Sequence, residues 1–141
     1  MDEVIFNVFL SLILNSYIDF SLSFRVSKKL IINILEQTIL NKSIPDSLGF
    51  FQSDTYRFFF LMSFMLEYFE GNEISQEYAI SLVPKKFASR IKRLQVLKQA
   101  VKLGYLSETS SDHDRRRRIY KPTEGLLNDF LAYSEKISSF S

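Results

Sequence analysis

The chain has 141 residues, 46% hydrophobic and 24% charged, with 4 Gly, 3 Pro, no Cys and one His. That is the size and balance of one globular domain, with too few turn-formers for a β-sandwich or barrel and too much apolar content for a disordered chain. Without cysteine and with a single imidazole, disulfides, thiolate metal sites, zinc clusters and Cys or His nucleophile relays lose their usual groups, so an enzyme is a poor reading and no metal or cofactor is indicated.

Charge is divided unevenly: residues 1–70 carry a net −3, residues 71–141 a net +5, and residues 84–121 alone a net +9. A segment that basic is expected to sit beside a polyanion.

Val4 to Leu14 (VIFNVFLSLIL) is strongly apolar but follows Asp2 and Glu3, so it lacks the basic start of a secretory leader. Asn7, Ser11, Asn15, Ser16 and Asp19 interrupt the wider stretch, which is therefore expected to fall short of the roughly 20 apolar residues of a membrane span. The expectation is a cytoplasmic protein with no membrane segment. The apolar positions wrap around much of a helix, which predicts burial on more than one side, either against the chain's own core or against a second subunit.

Phe20 to Val26 alternates apolar and polar residues and reads as a short strand or extended linker. Ser27 can cap a helix over Lys28–Leu40, with Leu30, Ile31, Ile34, Leu35, Thr38 and Ile39 at helical spacing. Asn41, Ser43, Pro45, Asp46, Ser47 and Gly49 predict a loop, after which Ser53 or Asp54 caps an aromatic helix over Thr55–Phe69 that Gly71 and Asn72 stop. Its rings are best explained as core or dimer packing.

Ser75 is a plausible N-cap for a short support helix over Gln76–Leu82. Pro84, tolerated in a first turn, is expected to open a second helix that runs to Leu103 and ends at Gly104. On it Ile91, Leu94, Leu97 and Val101 make an apolar arc, opposite Lys85, Ser89, Lys92 and Gln99 with Lys86 and Arg93 beside them. Lys85 and Lys86 would then lie in a first turn, where the helix dipole disfavours cations by about 0.3–1 kcal/mol each, so a phosphate backbone there would compensate. Two short strands follow around Asp114 and the run Arg115, Arg116, Arg117 and Arg118, whose mutual repulsion asks for an anion such as a narrow minor groove.

From Ile74 to Gly125 the chain resembles the MarR-like winged helix-turn-helix transcription regulators. The carrying residues are Leu103-Gly104-Tyr105-Leu106 after the recognition helix, Asp114-Arg115-Arg116 in the wing, and Thr123-Glu124-Gly125 opening the next helix, with Pro122 where the family has Leu. The resemblance implies that a wing arginine, Arg115 or Arg116, enters the minor groove, and that Asp114 holds the hairpin by pairing with an arginine.

The expected fold is mostly α with a small β-hairpin wing: a winged helix-turn-helix with additional N-terminal helices. It is read as a single domain over 1–141, with an N-terminal helical and dimerisation part over 1–70, the winged helix over 74–125 and a C-terminal helix over 126–141. The expected function is sequence-specific double-stranded DNA binding in transcription regulation, as a homodimer built from Val4 to Tyr17 with Leu127, Phe130, Leu131 and Ile137. The DNA contacts are assigned to Lys85, Lys86, Ser89, Arg90, Lys92, Arg93 and Arg115 to Arg118, with base edges read from Ser89, Lys92 and Arg93. Two other classes stay open: a winged-helix replication, partition or phage protein that binds DNA without regulating a promoter, and a winged-helix protein-interaction module. A small-molecule effector stays open but is not indicated. His113 reads as an exposed turn residue or a phosphate contact at the wing tip, and Gly49, Gly71, Gly104 and Gly125 are too far apart for a phosphate loop.

Overall fold

No Gly or Pro interrupts residues 2–40. The computed structural model, which describes residues 2–40 and 43–139, accordingly runs one helix, α1, over Glu3–Leu35, continued by a π-helical turn over Glu36–Leu40. Asp2 caps α1, its carboxylate accepting from the Val4 amide at 3.0 Å. The strand expected over Phe20–Val26 is therefore corrected: Phe20, Leu22 and Phe24 lie in mid-helix and are exposed. Alternation alone makes no strand when no second strand offers a ladder. The helix expected over Lys28–Leu40 is likewise the far end of α1 and the π turn. Helical continuity through Asp19 also corrects the length expectation, since Glu3–Thr38 is long and apolar enough to cross a membrane by length and composition.

The chain divides into two compact units, one of Met1–Asn41 with Ser134–Ser141 and one of Lys42–Tyr133. In the first, Asn33 is buried and its side-chain amide donates to the carbonyls of Ile137 and Ser139 at 3.0 and 2.7 Å, tying α1 to the end of the chain.

The second unit begins with α2, Asp46–Gln52, where a loop was expected from the turn-forming residues. Leu48 and Phe51 are buried there, and this packing overrides the poor local propensity. Asn41 of that expected loop lies outside the described residues. Helix α3, Thr55–Phe69, has the bounds the sequence predicts. Its Phe60, Leu61, Phe64 and Met65 are buried, with Phe51, Phe60 and Phe64 in ring contact at 6.1 and 5.5 Å. These rings are core, as expected. Gly71 ends the turn after α3 with φ +80°, a conformation costly for any residue with a Cβ.

Next come α4, Gln76–Ser81, and α5, Arg90–Lys102, then an antiparallel hairpin of β1, Leu106–Ser110, and β2, Arg118–Pro122, and finally α6, Glu124–Ile137. The hairpin register pairs Leu106 with Pro122 and Ser110 with Arg118, and Ser75 adds a bridge to Ile119. Gly104, at φ +84°, lets the chain leave α5, with the Tyr105 amide donating back to the Ala100 carbonyl at 2.9 Å. The Thr123 hydroxyl lies 2.8 and 3.0 Å from the carbonyls of Gly104 and Tyr105, and its oxygen caps the first turn of α6. Glycine and threonine thus belong to one joint between α5, the hairpin and α6.

Candidate nucleic-acid interface

Helix α4 is capped by Ser75, whose hydroxyl accepts from the Tyr78 amide at 3.2 Å. Helix α5 does not begin at Pro84, which corrects the expected boundary. Pro84 to Phe87 form a separate turn closed by the Phe87 amide on the Pro84 carbonyl, and Ser89, with extended backbone, caps α5 through the Lys92 amide. Lys85 and Lys86 are therefore exposed on the turn between the two helices and not in the first turn of α5, so the helix dipole does not disfavour them there. The Lys86 ammonium lies over the Phe87 ring at 5.1 Å.

The buried stripe of α5 is also turned relative to expectation. Arg93, Val96, Leu97 and Ala100 face the core, while Ile91 is 70% exposed and Leu94 and Val101 are only half-buried. The cause is Arg93, which is 8% exposed and donates from one terminal nitrogen to the carbonyls of Ile80 and Val83 at 2.9 and 3.2 Å. Those carbonyls lie at the C-terminal end of α4 and just beyond it, where acceptors lack helical partners. A guanidinium can satisfy them from the core side, so an arginine takes a place that pattern reading reserves for an apolar residue. Arg93 is thereby withdrawn from the surface. Left outward on α5 are Ile91, Lys92, Gln95, Lys98, Gln99 and Lys102. Gln95 has no signal in the sequence, because a lone glutamine carries no charge.

Arg90 is engaged too. It forms a bidentate pair with Glu77 of α4 at 2.7 and 3.0 Å, and this guanidinium holds the Glu77 carboxyl below its ordinary range. Both side chains are more than half exposed, so the pair aligns two helices more than it stabilises them. Lys85, Ser89, Arg90 and Arg93 do share one shallow cleft with Glu77 and Ile80.

The wing tip is organised by Asp114, which among the described residues pairs with backbone amides and with no arginine side chain. Its carboxylate accepts from the Arg116 amide at 2.9 Å and its carbonyl from the Arg117 amide at 3.0 Å, while the Ser111 amide closes the loop on the Arg117 carbonyl. Asp114 is thus a turn-forming residue whose short acceptor binds its own backbone two residues on. Arg115 to Arg118 are all exposed, yet they differ. Arg117 reaches Glu73 at 3.6 Å and Arg118 reaches Glu108 at 3.8 Å, whereas Arg115 and Arg116 have no acidic side-chain partner among the described residues. Arg116, Arg117 and Arg118 line a second cleft with Ser75, Gln76 and Glu77, so the wing lies beside the start of α4. His113 is exposed in the wing turn.

Glu108 on β1, which sequence reasoning misses, is a hub. It accepts from the Tyr120 hydroxyl at 2.6 Å and from Lys98 of α5 at 3.3 Å. The Tyr120 hydroxyl and then Lys98 and Arg118 hold the Glu108 carboxyl below its ordinary range. Burial, then Glu108, raises the Tyr120 phenol well above its own.

Two helices meet across a short turn, a hairpin follows the second, and a further helix closes the unit. This is a winged-helix fold. Among solved structures the chain is similar to the transcriptional regulator Tm0710 from Thermotoga maritima, with a TM-score of 0.50 and 17% identity over 89% of this chain and 73% of that one. No protein-family model and no curated protein matches the chain. In this fold α5 is the second helix of the pair, and the arginine run stands at the tip of the hairpin.

Proposed function

We propose that this protein is a cytoplasmic regulator of transcription, not an enzyme, that binds double-stranded DNA with α5 in the major groove and the wing in the minor groove. The observation that carries it is the division among the cations. Arg90, Arg93, Lys98, Arg117 and Arg118 are engaged within the fold, while Arg115 and Arg116 are held together at an exposed tip without acidic side-chain partners among the described residues. Neighbouring like charges repel, and a phosphate backbone or a narrow minor groove removes that cost. In this reading Lys85, Lys86 and Lys102 meet phosphates. Lys92 and Gln95 reach base edges and the exposed Ile91 a thymine methyl, while the Ser89 hydroxyl is occupied as a cap. The similar Thermotoga protein is described as a transcriptional regulator, which supports the same reading.

The test is fluorescence anisotropy with random-sequence duplex across a salt series, followed by operator selection. Binding that falls steeply and linearly in log salt is expected, with a selected sequence bound at least ~10³-fold more tightly. Native protein that ignores every duplex at low salt would end the DNA reading and turn attention to a protein partner.

The same proposal includes a homodimer. On α1, Asn7, Ser11 and Asn15 recur at every fourth position with three apolar residues between each, and Val4, Ile5, Val8, Phe9, Leu12 and Ile13 are each about half exposed or more. Apolar surface on three sides of a helix suits burial against a second copy of the chain, and the helix is read as subunit contact in preference to a membrane span. Sedimentation equilibrium at micromolar concentration is expected to give a dimer, and Leu12→Glu to shift it toward monomer. A monomeric native chain, or recovery only in detergent-solubilised membranes, would remove this part of the proposal.

A further inference from the structure

We propose that Glu108 is an internal counter-anion that withholds Lys98 and Arg118 from DNA, and so sets the strength and salt dependence of sequence-independent binding. The inference rests on the DNA-binding reading above and concerns how that interface is tuned.

Its placement carries it. Lys98 lies on the outward side of α5 and Arg118 opens the wing strand β2, so each belongs to one of the two elements proposed to meet DNA. Glu108 sits on β1 between them, its side chain 22% exposed against 49% and 54% for the two cations. One carboxylate oxygen is 3.3 Å from Lys98 Nζ and the other 3.8 Å from Arg118 Nε. Tyr120, its cross-strand partner, is buried and donates to the same carboxylate at 2.6 Å, which anchors the acid in place. The carboxylate thus already offers these cations what a phosphate would. A cation neutralised within the protein adds little to counterion release when DNA arrives.

Glu108→Gln keeps an acceptor for the Tyr120 hydroxyl and removes only the charge. In anisotropy titrations with random-sequence duplex, this variant is expected to steepen the slope of log K against log salt by about 0.9 for each freed cation that reaches a phosphate, with tighter binding at low salt. Lys98→Gln should leave the native slope nearly unchanged, yet remove about 0.9 of slope in the Glu108→Gln background. That non-additivity separates a withheld cation from one already on DNA. If the native protein is salt-dependent but Glu108→Gln has the native slope, the counter-anion role is overturned while the DNA reading stands. Should Glu108→Gln not fold, the exposed Lys98→Gln still decides, because a slope reduced by about 0.9 in the native background would mean that Lys98 was never withheld. Absence of salt-dependent binding by the native protein would overturn the DNA reading, and this inference with it.

Discussion

Arg115→Ala/Arg116→Ala is expected to flatten the salt dependence of duplex binding by up to about 1.8 in slope, roughly 0.9 for each phosphate no longer neutralised, and to weaken binding most at low salt. Stability should hardly move. Both side chains are exposed and without acidic side-chain partners among the described residues, and the turn that carries them is closed by backbone donors on Asp114 and Arg117. Arg117→Ala/Arg118→Ala is the matched control, since it removes the same formal charge from the adjoining positions. Those two arginines are already near Glu73 and Glu108, so removing them is expected to change the slope by less. Equal slopes for the two double variants would show that proximity to an acid does not decide which arginines meet DNA. A native slope in Arg115→Ala/Arg116→Ala would remove the wing from the interface.

The wing was legible in sequence because its signals are local. Asp114 binds its own turn, Gly104 occupies a left-handed position, and Thr123 reaches two residues around that glycine, so each works over a short span or across one joint. The start of α5 was misread because two cap signals compete: Pro84 is compatible with a helix start, but Ser89 has both the extended backbone and the hydroxyl that holds the Lys92 amide. The Phe20–Val26 strand failed for a different reason. Periodicity of two is evidence of a strand only where a neighbour completes the ladder, and a stretch free of Gly and Pro can remain helical. Glu108 carried no signal at all, since a single acid beside a basic run reads as surface decoration until the fold sets Lys98 and Arg118 around it. Site geometry built from residues ten apart, across a helix and a hairpin, is what one-dimensional patterning loses.

Arg93 brings fold and interface together, and Arg93→Met should destabilise the protein more than any of the wing or Glu108 substitutions. Methionine keeps the long apolar stem but leaves the carbonyls of Ile80 and Val83 without their charged donor. A hydrogen bond to a charged group contributes about 1.5–3 kcal/mol, and an unsatisfied buried acceptor costs about 1–3 kcal/mol; these overlap and do not add. A destabilisation of about 1.5–3 kcal/mol is therefore expected, read as a lower urea midpoint at unchanged m. Arg93→Lys should fall between, because an ammonium on a shorter reach lacks the planar fork of the guanidinium. The same hydrogen bonds fix how α5 is set against α4, so DNA affinity should drop in Arg93→Met while the salt slope stays native. The two readouts separate a residue that builds the interface from one that touches DNA. Unchanged stability together with a slope reduced by about 0.9 would place the Arg93 guanidinium on a phosphate and overturn its assignment as a buried brace.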